Sequence, residues 1–127
     1  MNQRAGLLYI SKSSERILLI LENQKWTVPT FPKSGALIED AKNTLDEYAH
    51  GKIIPIELYI SRDNGFEYST YVCIVDQEFL ASKSKTYCWA GVDNLPKNIH
   101  VGLKNTLTNS ITKAKIETIL ELQHDAT

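Results

Sequence analysis

The sequence predicts a mixed α/β or α+β sandwich, a β-sheet packed against helices. Three observations carry that expectation. Hydrophobic spacing switches from a strand period to a helical one over residues 37–49 and returns to β character at residue 53. An Asn64-Gly65 pair separates two β-like runs, the strongest short-range hairpin signal because both residues tolerate positive φ. Helical spacing then returns over residues 101–122.

Residues 5–11 read as a strand and Ser13-Ser14-Glu15 as a polar turn. Residues 16–21 (RILLIL) form a second short strand, rich enough in Ile and Leu to be buried on both faces. Residues 26–29 are extended, and Pro29 and Pro32 impose a non-helical loop between them. Over residues 37–49, Leu37, Ile38, Ala41, Leu45, Tyr48 and Ala49 fall on one helical stripe. Glu39 and Asp40 suit the positive N-terminal end of that helix, and Gly51 is a natural stop after it. Residues 53–61 resume β character, with Pro55 marking an edge or a bulge. The returning strand, residues 66–76, places Phe66, Tyr68, Thr70, Val72 and Ile74 on one face. Residues 86–90 form a further strand, residues 93–98 a proline-containing loop, and residues 101–122 one long helix.

With 127 residues, the chain is sized for one domain over residues 1–127, its last few residues frayed. Such a chain buries roughly two-thirds of its unfolded surface and needs neither disulfides nor a structural metal to fold. Apolar content of 43% and charged content of 23% are those of a soluble globular protein. A formal net charge of −1 argues against a dedicated nucleic-acid binder, which carries a basic excess. Cys73 and Cys88 are too few for a disulfide framework and match no zinc spacing, so they read as reduced thiols. No signal-peptide pattern and no membrane-length apolar run is present, so the expected location is the cytoplasm, with no membrane partner.

Three ordered segments carry a resemblance. They are Trp-x-Val-Pro at residues 26–29, Phe66-Glu67-Tyr68-Ser69-Thr70-Tyr71 continuing to Glu78-Phe79, and Tyr87-x-Trp89 followed by Leu95-Pro96 and Ile99-His100-x-Gly102-Leu103. In this order they resemble the Nudix hydrolases, and within them a phage and bacterial branch. The resemblance implies a Nudix-like α/β/α sandwich with a mixed β-sheet. It also implies an ancestral activity, Mg²⁺- or Mn²⁺-dependent cleavage of a nucleoside diphosphate linked to another moiety.

The family's helix carries glutamates three and four residues apart, because that spacing sets their oxygens on one face around shared metal ions. Aligned on Leu45, this chain has Asn43 in place of the motif arginine and Thr44 in place of the first glutamate. Glu47 and Tyr48 fall on the glutamate pair, so Glu47 alone is retained. Thr30 and Phe31 replace the paired glycines of the preceding loop. Lys83 occupies the position of a glutamate that lies upstream of the Tyr-x-Trp strand in the related branch.

The expected function is a degenerate Nudix-fold protein with little or no diphosphate hydrolysis, its cleft kept for nucleotide or protein binding. Lys33, Lys83 and Lys85 could replace metal ions with ammonium groups around a phosphate, and Phe31 could stack on a base. Trp26, Tyr68, Tyr71 and Trp89 are further stacking candidates that core packing explains equally well. One alternative is an active pyrophosphohydrolase with a relocated Mg²⁺ or Mn²⁺ site. Glu47 would be its catalytic and metal-binding carboxylate beside Asp40, with Asp46 or Glu39 assisting. Another is an interaction module using the terminal helix or the edge at residues 53–61, with a homodimer as one form.

Overall fold

A computed structural model describes residues 2–32, 52–63, 65–79 and 86–125. The helix expected over residues 37–49 lies outside the described residues. Alternation in β1 (Asn2–Ser11) sends Leu8 and Ile10 to one face and Ala5, Leu7 and Tyr9 to the other, and all five are buried. β2 (Arg16–Glu22) returns antiparallel to it, with Ile10 opposite Ile17. Ile17, Leu18, Leu19 and Ile20 are buried on alternating faces, as the RILLIL run predicts. β3 (Lys25–Thr27), β4 (Thr30–Pro32), β5 (Lys52–Asp63), β6 (Phe66–Val75) and β7 (Tyr87–Gly91) complete one sheet.

The strand order is β3-β2-β1-β6-β5, with β4 also paired to β1 and β7 to β2. β1 and β6 run parallel, in register from Asn2 opposite Phe66 to Ser11 opposite Val75, and the other pairings are antiparallel. One edge of β1 serves two strands. Its C-terminal end meets β2 through Ile10, while Arg4, Ala5 and Gly6 meet Pro32, Phe31 and Thr30 of β4. The sheet therefore forks near Leu7, whose N–H donates to the Pro29 carbonyl at 2.9 Å.

Two helices, α1 (Val101–Thr108) and α2 (Ser110–Asp125), pack on one face. Leu103, Leu107, Ile116, Ile119 and Leu120 join Leu8, Ile10, Ile17, Leu19, Val72 and Ile74 in a single apolar layer. On the opposite face lie Ala5, Leu7, Tyr9, Leu18, Tyr71, Cys73 and Val75, with Phe79, Tyr87 and Trp89 against them. The result is a mixed sheet with helices, the α/β class the sequence predicts.

Three local outcomes differ from expectation. The single helix expected over residues 101–122 is two helices, because Asn109 is extended (φ −68°, ψ 129°). Its Oδ1 accepts from Ile111 N at 2.9 Å and Thr112 N at 3.2 Å, so the residue that ends α1 caps α2. The loop expected between Pro29 and Pro32 contains strand β4, since Pro32 closes that strand rather than interrupting it. β5 extends beyond the expected residues 53–61 at both ends. Pro55 does sit where the β5–β6 register shifts, between Ile54 and Glu57, and β5 is the edge of the strand order. The Asn-Gly hairpin also holds: Asp63 pairs with Phe66, and Gly65 takes φ +81°. Among the described residues no helix is long and apolar enough to cross a membrane.

Candidate ligand cleft

At the N-terminal arm of the fork lies a cleft of about 700 Å³, lined from β1, β2, β3, β4, β6 and the start of α1. Parallel pairing sets Arg4 of β1 opposite Tyr68 of β6, and the antiparallel pairing of β4 brings Thr30 alongside. Arg4 Nη2 donates to Thr30 Oγ1 at 3.1 Å, which orients a half-buried guanidinium and leaves most of its donors unused by that bond. Burial pushes the Tyr68 phenol up to about 12, with the charge of Arg4 pulling partly the other way. Its hydroxyl crosses Gly6: a Cβ there would overlap Tyr68 Oη and stand 3.0 Å from both Tyr68 Cζ and Val28 Cγ2.

The opposite wall comes from the β2–β3 hairpin. Glu22 pairs with Lys25, so Asn23 and Gln24 form a two-residue turn with φ of 50° and 65°. Positive φ at both positions is the type I′ signature, which matches the twist of the strands it joins. This turn carries Glu22, Asn23 and Lys25 to the cleft.

The third wall is the α1 N-terminus. His100 Nδ1 accepts from Gly102 N at 3.1 Å and Leu103 N at 3.4 Å, capping the helix. An imidazole accepting at Nδ1 carries its proton on Nε2, so the ring offers a donor on the cleft lining. The His100 N–H donates to the Trp26 carbonyl at 2.8 Å, and the Trp26 N–H donates to the Asn98 carbonyl at 2.7 Å. Two of the segments that carry the resemblance are thus joined by backbone hydrogen bonds, with Trp26 packed on the core.

The remaining sequence candidates fare differently. Tyr71 is buried in the core, and Trp89 packs with Phe79 at a centroid distance of 5.3 Å while its Nε1 donates to the Phe79 carbonyl at 3.3 Å. Both are structural rather than stacking surfaces. Phe31 pairs with Ala5 through its backbone in β4; its side chain lies outside the described residues. Lys33, Asp40, Glu47, Lys83 and Lys85 also lie outside them. Of the described candidates, Tyr68 lines the cleft. Sequence reasoning missed Arg4, Lys25, Phe66 and Asn105. The signal for Arg4 was a lone cation on the strand face that leads into Leu8 and Ile10, and it became meaningful once β1 and β6 were paired.

A divalent cation is implied by the resemblance, and the described lining does not fit one. Its single carboxylate, Glu22, lies in a lining that also holds two cations, Arg4 and Lys25, whereas Mg²⁺ needs converging oxygen ligands. A second hollow of about 360 Å³ contains Arg16, Asp93 and Lys113. Its cations are already engaged: Arg16 holds Glu78 through two bonds of 2.6 and 2.5 Å, and Lys113 holds Asp93 at 3.3 Å.

No protein-family model matches this sequence, and no curated protein matches it. Solved structures do. A C. elegans Ap4A hydrolase in a binary complex aligns over 93% of this chain and 99% of its own, with TM-score 0.63 at 12% identity. A Nudix-family hydrolase from Clostridium perfringens aligns over 95% and 97%, with TM-score 0.60 at 14% identity. The MutT Nudix hydrolase from Burkholderia pseudomallei aligns over 86% and 97%, with TM-score 0.57 at 16% identity. The mixed sheet with its helices, forked at β1, is therefore a Nudix-like fold.

Proposed function

We propose that this chain is a Nudix-fold protein with little or no diphosphate hydrolysis, whose cleft is kept for binding a nucleotide-like small molecule. The observation that carries this reading is the replacement of acids across the motif. Thr44 and Tyr48 stand where two glutamates belong, Lys83 stands where a third belongs, and Glu47 alone is retained. Activation of water by a divalent ion, and neutralisation of charge on the leaving phosphate, both need the ion held in place. A lone carboxylate seldom holds such an ion, which ordinarily takes further carboxylates or the substrate's own phosphates as ligands. Lys33, Lys83 and Lys85 supply ammonium groups in this reading and Phe31 an aromatic surface, which together favour anion binding over hydrolysis.

A competing reading rests on Asp40, Asn43 and Glu47, spaced three and four residues apart and so able to share one helix face around Mg²⁺ or Mn²⁺. Turnover assays separate the two. With Mg²⁺ or Mn²⁺ present, purified protein should show no turnover above background on nucleoside triphosphates, dinucleoside polyphosphates or ADP-ribose. Turnover of about 1 s⁻¹ or more that is lost in Glu47→Ala would establish the enzyme instead.

A further inference from the structure

We propose that the cleft binds a nucleoside monophosphate without a divalent cation, its phosphate meeting Arg4 and Lys25 and its base meeting Phe66. This rests on the nucleotide-binding reading above and adds to it the charge of the ligand and its independence of metal.

Charge comes first. The described lining holds two side-chain cations and one carboxylate, a net attraction for an anion. Arg4 is oriented by Thr30, and among the described residues it forms no ion pair. A planar guanidinium with spare parallel donors matches two oxygens of one phosphate. Arg4 and Lys25, less Glu22, leave the described lining with a net charge of +1, which attracts a monophosphate without a divalent ion. A diphosphate or triphosphate carries more charge than this lining neutralises and is ordinarily accompanied by a divalent ion. The hollow beside Arg16 is the useful contrast, since carboxylates already occupy its cations.

Phe66 is 51% exposed and Val101 66% exposed, and both line this cleft. The same strand is partly buried at Glu67 and Tyr68 and buried from Ser69 to Val75, so Phe66 is an apolar side chain left open at a cavity mouth. Such a ring accepts the face of any base. Asn23, Asn105 and His100 add hydrogen-bonding groups to the lining.

The test is calorimetric titration of AMP into the full chain, first in EDTA and then in Mg²⁺. AMP should bind in EDTA with a Kd of about 10–100 μM, changed by no more than about twofold in Mg²⁺. Arg4→Ala should weaken binding at least about tenfold, and Phe66→Ala about tenfold, with thermal melting confirming that each variant folds. Should Arg4→Ala fail to fold, Lys25→Ala, at an exposed position of β3, gives the same readout. Lys113→Ala, in the other hollow, should leave affinity unchanged. Ribose 5-phosphate binding as tightly as AMP would overturn the contact with Phe66. Absence of binding in EDTA, or affinity unmoved in both folded cleft variants, would overturn the proposal as a whole. Binding that appears with Mg²⁺ alone overturns metal independence yet leaves the hydrolysis-deficient reading standing. Turnover together with AMP binding in EDTA does the reverse.

Discussion

Gly6 faces Tyr68 across the parallel β1–β6 pairing, and a side chain at Gly6 would occupy the space the phenol takes. Gly6→Ala should therefore destabilise the fold by about 1–3 kcal/mol in urea titration, through overpacking against the Tyr68 and Val28 side chains. In a Tyr68→Phe background the cost should shrink by at least about 0.5 kcal/mol, because the overlapping oxygen is gone; simple additivity would contradict the contact. Tyr68 also sets an alkaline limit. Its phenol titrates at 10.0 when unperturbed and is pushed up to about 12 by burial, so between those values the folded state holds a proton that the unfolded state has released. The stabilisation is intact below the unfolded pKa and is lost as pH rises through the folded one. Denaturation midpoints should fall over that window in the native protein and fall less in Tyr68→Phe; equal slopes would contradict it. Tyr9, pushed upward mainly by burial, adds a drop in the same direction in both proteins. At this scale the sequence identified Tyr68 as an aromatic of interest. It could not identify Arg4, whose partners Thr30 and Tyr68 are distant in sequence.

Local elements were the most legible features, because their signals are confined to neighbouring residues. Asn64-Gly65 announced its hairpin, Pro55 its bulge, and the RILLIL run its double burial. The Asn23-Gln24 turn was less visible, since Gln is a poor left-handed residue and gives no turn signal of its own. It is held there by the β2–β3 register and delivers Lys25 to the cleft. Gln24→Gly should raise stability by about 0.5–1 kcal/mol in urea titration by relieving the positive φ, net of the entropy glycine adds to the unfolded chain. A loss of stability would contradict the turn assignment. The break at Asn109 escaped the helical spacing because Leu107 and Ile116, on either side of it, both reach the same core. Apolar periodicity registers burial and is blind to one extended residue whose side chain caps the next turn.

For the whole molecule, the resemblance anticipated a fold that composition and periodicity alone could not specify. Parallel pairing of β1 with β6 joins residues more than sixty positions apart, and the fork at Leu7 depends on two strands sharing one edge of β1. Neither leaves a local trace. The motif residues themselves are largely structural: Glu78 pairs with Arg16, Phe79 supports Trp89, and His100 caps α1. Fold and catalysis can therefore separate, since those residues maintain the scaffold whether or not acids surround a metal ion. The central physical claim is that positive charge in the cleft comes from side chains and not from a bound divalent ion. Titrating Mn²⁺ into the metal-free protein by calorimetry tests it most directly. The expected result is no binding tighter than about 1 mM, as one retained motif carboxylate, with neither a second acid nor a substrate phosphate beside it, seldom holds such an ion. Tight Mn²⁺ binding that disappears in Glu47→Ala would contradict it.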